Sequence, residues 1–213
     1  MFNDKYGLTR AVLEGRKTQT RRIVTESALR MLLDIPQYVD RTFDEMAEYC
    51  ACDNTAKYLV KLYAPNAVGK EVAIAQSYRD ILGAEYLPTS IEDEIIALVK
   101  ENSGGISNKM FVRANLMPHR IKITNIRIER LQDISEEDCL KEGFEKINVN
   151  NGCGNMLSHW KYLLTYEDKL GRSLQLGSRF YKEAFSLLID KTCGEGTWEK
   201  NPWVFVYDFE LIK

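Results

Sequence analysis

The chain of 213 residues has few of the residues that mark metal-binding, secreted or membrane proteins. It has two histidines and five cysteines, and Cys50-Ala51-Cys52 is too closely spaced for the usual zinc pair, with both histidines far from it. Its start, MFNDKYGLTR, lacks an apolar signal core, and no apolar run approaches the length of a membrane span. We therefore expect reduced thiols, no metal or other cofactor, no membrane association and a cytoplasmic protein.

A strong charge of one sign is also absent. The chain has 29 Lys and Arg against 31 Asp and Glu, a net charge of -2 and a pI of about 5.8. It therefore has no overall field that attracts nucleic acid, and binding of a polyanion would need a local basic patch. The composition, 45% hydrophobic and 28% charged, is that of an ordinary globular domain rather than a disordered segment.

The most basic stretch is GRKTQTRR, residues 15–22, which carries four cations and two hydroxyl groups. One interpretation is a solvated turn whose arginines pair with surface acids. The other is a pocket, because Lys17 and Thr20 are three residues apart and can approach one point. The guanidinium groups of Arg21 and Arg22 would lower the pKa of Lys17, which favours the neutral amine that a general base needs.

Apolar periodicity and chain-breaking residues predict an α+β chain. Helices are predicted at residues 6–14, 27–33, 43–63, 91–100, 135–143, 156–166 and 178–191, and strands at 23–24, 72–78, 111–113, 121–130 and 203–212. Residues 145–155 are predicted to be a loop. Strands at both ends and in the middle suit one domain over residues 1–213, a compact β-barrel with helical insertions at about 26–65, 80–105 and 145–200.

Acidic residues are concentrated in the predicted helix 135–143. Ser135 is a suitable N-cap, and Asp133, Glu136, Glu137 and Asp138 are explained as charges near the first turn. Glu142 is different, because a carboxylate at the last turn is slightly unfavourable beside the helix C-terminus. This position is a weak indication that Glu142 has another role.

Three ordered motifs resemble the ASCH domain, a superfamily of PUA-like β-barrels related to RNA-binding modules. The first is Gly15-x-Lys17-x-x-Thr20-x-Arg22 after a short helix. The second is the block 129–138, ERLQDISEED, and the third is the ending 201–210, NPWVFVYDFE. Both are similar to segments of phage and bacterial ASCH proteins. The resemblance implies a PUA-like mixed barrel, with the helical stretches as insertions.

The common ASCH signature has Glu where this chain has Thr20. The Lys-x-x-Thr form is similar to that of small ASCH amidohydrolases that deacetylate acetylated cytidine. The resemblance then implies a catalytic set of Lys17, Thr20 and Glu142, in which Lys17 takes the proton of the Thr20 hydroxyl, Thr20 attacks the amide carbonyl, and Glu142 orients Lys17 or protonates the leaving amine. Those enzymes are shorter than this chain and lack its insertions.

Other residues are expected to bind the substrate. Arg22 and nearby backbone amides are candidates to stabilise the oxyanion, and Arg21 to lower the pKa of Lys17. Gln76, Tyr78 and Trp203 are candidates to hold a base, although Trp203 at the start of a strand is most simply a core residue. The expected partner is a nucleoside, nucleotide or RNA. A non-catalytic RNA- or nucleotide-binding module stays open as an alternative, and so does a protein partner on the helical insertions.

Overall fold

The computed structural model describes residues 2, 4–33, 40–101, 104–149, 159–167 and 170–212. These residues form a mixed α+β fold around a curled antiparallel sheet. The strands of this sheet, in spatial order, are β1 (Gln19–Ile23), β7 (Trp203–Ile212), β3 (Arg120–Arg130) and β2 (Glu71–Ala73). A second antiparallel sheet has the order β4 (Glu145–Val149), β5 (His159–Glu167) and β6 (Ser173–Ser178).

Helices connect and cover these strands. Their bounds are α1 (Leu8–Leu13), α2 (Glu26–Leu33), α3 (Phe43–Cys52), α4 (Asn54–Tyr63), α5 (Tyr78–Ile81), α6 (Thr89–Lys100), α7 (Glu136–Lys141), α8 (Tyr181–Cys193) and α9 (Thr197–Lys200). Short 3-10 turns lie at Asp4–Tyr6, Gly104–Ile106, Lys109–Phe111, Ala114–Leu116 and Leu131–Asp133. Within the described ranges, no helix is long and apolar enough to cross a membrane.

Strand β7 organises the main sheet because it pairs with β1 on one side and β3 on the other. Its pairing with β3 runs from Arg130 opposite Trp203 to Arg120 opposite Ile212, with a bulge between Ile123 and Asn125. The sheet therefore joins three segments that are distant in the sequence.

The two faces of the main sheet support different cores, because alternate residues of a strand point to opposite faces. On one face, the aromatic side chains of Trp203, Phe205, Tyr207 and Phe209 pack with the isoleucines of β3 and with α2, α3 and α4. On the other, Val204 and Val206 pack with α7, α8 and the second sheet. A third cluster, around Tyr78, Ile81, Ile95 and Leu98, joins α5 to α6.

Much of the predicted secondary structure is confirmed. The strand 203–212 has the predicted bounds, 121–130 lies within β3, and helices occur at α1, α2, α6, α7 and α8. The predicted helix 43–63 is two helices, because the backbone turns at Asp53, whose carboxylate accepts a hydrogen bond from the amide of Ala56 at 3.0 Å. The described residues of the segments 26–65 and 80–105 include helices α2, α3, α4 and α6 and the end of α5.

Other predictions are wrong. Within the predicted helix 156–166, residues 159–166 belong to β5, and residues 156–158 lie outside the described ranges. The described part of the predicted loop 145–155 is β4, so the segment 145–200 contains strands as well as helices. Pairing with neighbouring strands overrides the local pattern here. The strand predicted at 72–78 ends at Ala73, and residues 111–113 are not a strand, since Phe111 closes a 3-10 turn.

We expect Ser135→Ala to destabilise the protein by about 1 kcal/mol, because the Ser135 hydroxyl caps α7 by accepting a hydrogen bond from the amide of Asp138 at 3.1 Å. Urea unfolding measures the change. Ser90→Ala is the matched control, because Ser90 is exposed in the first turn of α6 and its hydroxyl has no hydrogen bond to the described residues. Equal stability of the two variants would contradict the capping role.

Candidate functional site

Backbone hydrogen bonds hold the start of β1 against the ends of α1 and α7. The amide of Lys17 donates to the carbonyl of Ala11 at 3.0 Å, and the amide of Thr18 donates to the carbonyl of Lys141 at 2.9 Å. Gly143 ends α7 with a φ of +105°, a conformation that favours glycine. Lys17 and Glu142 are therefore brought together by main-chain contacts as well as by their charges.

The ammonium of Lys17 forms an ion pair with the carboxylate of Glu142. Its Nζ contacts Oε2 of Glu142 and also donates to the Glu142 carbonyl oxygen at 3.1 Å. Only 1% of the Lys17 side chain and 5% of the Glu142 side chain are exposed. The ring of Phe2 covers Lys17, with 6.0 Å between Nζ and the ring centroid. A lysine this deeply buried needs its partner, since an unpaired buried charge is strongly unfavourable.

Burial lowers the pKa of Lys17 below its usual value of 10.5. Loss of solvation is the main cause, and the positive charges of Arg22 and Arg21 act in the same direction, whereas Glu142 opposes them. The amine is therefore easier to deprotonate than an ordinary lysine. This direction agrees with the expectation from the sequence, which named burial and the arginines as causes.

Arg21 binds Glu142 from the other side. Its Nη1 donates to Oε1 of Glu142 at 3.1 Å, so each carboxylate oxygen of Glu142 faces a different cation. The guanidinium also donates to Glu129 at 2.7 Å and to Asp138 at 3.1 Å. The Arg21 side chain is only 1% exposed. Arg21 thus links β1, β3 and α7 within one buried ionic network.

The network continues across the sheet. Arg127 donates to Glu129 at 2.9 Å, to Asp138 at 2.9 Å and to Asp208 at 3.3 Å. The side-chain amide nitrogen of Gln19, Nε2, donates to Asp138 at 3.0 Å and to Asp208 at 2.7 Å. Glu129, Asp138 and Asp208 therefore each accept hydrogen bonds from at least two residues. These bonds fix the position of Arg21 and, through it, that of Glu142.

Thr20 lies apart from this network. Gln19 and Arg21 point to the face that carries the network, so the alternation along β1 turns Thr20 to the opposite face, where its Cα partner is Tyr207. Thr20 is half-buried, and its hydroxyl has no hydrogen bond to any described residue. The structure thus brings together two of the three predicted catalytic residues.

A cavity of about 510 Å³ lies beside the ion pair. Glu142, Arg21 and Arg22 line it, together with residues of the N-terminal segment, the turn near Lys109 and α8. Its size is within the range of small-molecule sites. Glu142 is the member of the ion pair that reaches the cavity wall, and Lys17 lies behind it.

The three residues predicted to hold a base lie elsewhere. Gln76 lines a different cavity of about 550 Å³, and its side-chain oxygen is buried without a hydrogen-bond partner among the described residues. Tyr78 is fully buried, and its hydroxyl accepts from the amide of Arg113 at 3.0 Å. Trp203 donates to Asp44 at 3.1 Å and stacks on the guanidinium of Arg130, 4.2 Å from the ring centroid. The structure gives both rings a packing role.

Sequence reasoning missed the acids that hold Arg21. The interpretation of Asp138 as a first-turn charge is incomplete, because its carboxylate also binds Arg21, Arg127 and Gln19. Glu129 belongs to the motif 129–138, but the sequence gave no reason to assign it a role. A signal existed: Arg127 and Glu129 alternate with buried isoleucines along β3, so they share the face opposite to the isoleucines.

In the described part of the chain, no group of three or more His, Cys, Asp or Glu side chains is arranged to hold a metal ion. Cys50 and Cys139 are buried, and burial raises their thiol pKa values to about 11 and about 12.

No family model, curated protein or solved structure matches this chain. The site therefore has to be interpreted from its own geometry.

We expect Glu142→Leu to destabilise the protein by about 3–5 kcal/mol, because it leaves the buried Lys17 ammonium without its partner. The double variant Lys17→Met/Glu142→Leu should recover part of this loss, since it removes both charges. Denaturant unfolding measures each change. As a control, Arg10→Gln breaks the exposed ion pairs of Arg10 with Glu14 and Glu167 and should change the stability much less. A double variant less stable than Glu142→Leu would contradict the ion-pair argument.

Proposed function

We propose that this chain is an ASCH-type amidohydrolase with a PUA-like barrel, acting on an N-acylated nucleobase or nucleoside. The observation that carries the proposal is the buried contact between Lys17 and Glu142, which are 125 residues apart in the chain. Both residues belong to the catalytic set that the motif resemblance implies. The adjoining cavity of about 510 Å³ gives a small amide room to approach Glu142.

The proposed chemistry is proton transfer through the Lys17–Glu142 pair. An attacking O–H group gives its proton to the pair as its oxygen bonds to the acyl carbon, and the carbonyl oxygen becomes an oxyanion. Arg22 lines the cavity and would stabilise that negative charge. The C–N bond then breaks, and the leaving nitrogen takes the proton back from the pair. The products are the free amine and either an acyl-enzyme or the free acid.

Two nucleophiles fit this scheme. The first is the Thr20 hydroxyl, which would form an acyl-enzyme that water then hydrolyses with release of the acid. The second is a water molecule in the cavity, which would release the acid directly.

We expect the wild-type protein to hydrolyse acetylated cytidine or another member of a panel of N-acylated nucleosides. Lys17→Met and Glu142→Gln should each lower kcat/KM by about 100-fold or more, because each removes a partner of the proton transfer. Turnover is measured by monitoring product formation with chromatography. Circular dichroism and thermal unfolding verify that each variant is folded.

Thr20→Ala separates the two nucleophiles. Thr18→Ala is the matched control, because Thr18 is also half-buried and lies just before β1. Loss of turnover in Thr20→Ala alone supports the acyl-enzyme route, and retained turnover supports attack by water. Absence of wild-type turnover over the whole panel would refute the proposed function.

The pH profile gives a further prediction. A general base must be deprotonated, so kcat/KM should rise with pH to an apparent pKa below 10.5, the usual lysine value, since burial lowers the pKa of Lys17. Arg22→Gln should move this rise to higher pH, because the cation of Arg22 also lowers the pKa of Lys17. Arg79→Gln, at an exposed position that lines neither cavity, should leave the rise in place. An unchanged profile in Arg22→Gln would contradict the role of Lys17 as base.

The alternative is a PUA-like RNA-binding module without catalysis. The structure weakens it, because Lys17 and Arg21, two of the four cations in GRKTQTRR, are buried in ion pairs and cannot reach a phosphate. Arg16 is engaged as well, with Glu14 at 2.6 Å. Tight, salt-sensitive RNA binding without any amide hydrolysis would favour this alternative over the enzyme.

A further inference from the structure

The N-terminal segment lies between Lys17 and the cavity beside Glu142. The ring of Phe2 covers the Lys17 ammonium, with 6.0 Å between Nζ and the ring centroid. Phe2 and Glu142 both line that cavity, whereas Lys17 lies behind them. Because only 1% of the Lys17 side chain is exposed, a molecule in the cavity meets Phe2 or Glu142 before it meets Lys17.

Lys109 holds this segment in place. Its ammonium donates a hydrogen bond to the carbonyl oxygen of Phe2 and forms an ion pair with Asp4 at 2.8 Å. The carboxylate of Asp4 also accepts a hydrogen bond from the hydroxyl of Thr9 in α1. The Lys109 side chain is 15% exposed, so its contacts are better shielded from water than those of a surface lysine. One side chain therefore fixes both Phe2 and Asp4.

The other end of the segment has a buried anchor. Tyr6 is 3% exposed, and its ring packs edge-on against the ring of Tyr166, with 5.4 Å between the centroids. Gly7 follows with a φ of +64°, a left-handed conformation that glycine adopts without strain. Asp4 and Lys5 are exposed. An exposed segment beyond a buried anchor can open at a lower cost in free energy than the packed core.

We propose that Phe2 and Asp4–Tyr6 form a lid, closed in this structure by Lys109, whose opening gives a molecule in the cavity direct access to Lys17. The inference rests on the proposed function only for the use of Lys17 as a base. With the lid closed, Glu142 is the member of the pair that faces the cavity, and with the lid open both members face it. Asp4 also lines the cavity of about 550 Å³, so opening of the lid would join the two cavities.

The experiment measures the reactivity of the Lys17 amine in the full chain. The protein is treated with N-hydroxysuccinimidyl acetate, and peptide mass spectrometry follows the acetylation of Lys17 with time. Lys109→Met should raise this rate about tenfold, because it removes the contacts that close the lid. Phe2→Ala should also raise it, because it removes the covering ring. Lys57→Met is the matched control, since Lys57 is exposed on α4 and lines neither cavity, and should leave the rate unchanged.

Cys50 reports general unfolding in the same samples. Its side chain is buried in the core on the aromatic face of the main sheet, so iodoacetamide alkylates it only when that core opens. Faster acetylation of Lys17 in both Lys109→Met and Phe2→Ala, with unchanged alkylation of Cys50, supports the lid. An unchanged Lys17 rate in either variant, or a parallel rise of both labels, would overturn it.

This result is separate from the proposed activity, because labelling needs no turnover. Faster labelling of Lys17 in a protein that hydrolyses no acylated nucleoside would refute the amidohydrolase and keep the lid. Hydrolysis by a protein whose Lys17 labelling is unchanged in the two variants would refute the lid and keep the amidohydrolase.

Discussion

The ion pair between Lys17 and Glu142 sets the conditions for the rest of the site. Moving either charge out of water is unfavourable, and only the partner, held at hydrogen-bond distance, offsets that cost. The pair therefore depends on the backbone contacts from Lys17 to α1 and from Thr18 to α7, which place the two side chains before their charges can interact. The same burial that makes the pair necessary also lowers the pKa of Lys17, so stability and reactivity have one physical origin.

Arg21 extends this constraint to the sheet. Its guanidinium holds Glu142, Glu129 and Asp138, which belong to the end of α7, to β3 and to the first turn of α7. A planar group with five donors can bind several carboxylates at fixed angles, which a lysine cannot do. Glu142 thus has little freedom to move, and its carboxylate stays at the cavity wall. The Lys17–Glu142 pair is therefore preorganised by its surroundings.

Sequence reasoning gave the central part of the fold and one half of the site. The alternation of β3 and the apolar run of β7 are strong patterns because each strand has a buried face. Strand β4 has no such pattern, since four of its five residues are exposed, and β5 could not be told from a helix without its partners. Lys17 and Glu142 were identified from motif resemblance. Their acidic neighbours were not, because Asp138 already had a sufficient local explanation as a first-turn charge. The pairing of β1, β7 and β3 brings Asp208 and Glu129 together, and the contacts of α7 with Gln19 and Arg21 add Asp138.

The two cores on either side of β7 have a consequence for how this sequence can change. Valines 204 and 206 face one core, and the aromatic residues at 203, 205, 207 and 209 face the other. Insertion or deletion of a single residue near position 203 would exchange these two sets between the cores. It would also carry Asp208 away from Gln19 and Arg127. Variation in length should therefore be tolerated in the connections between strands. It should not be tolerated within β7, because the register of β7 sets the positions of both β1 and β3.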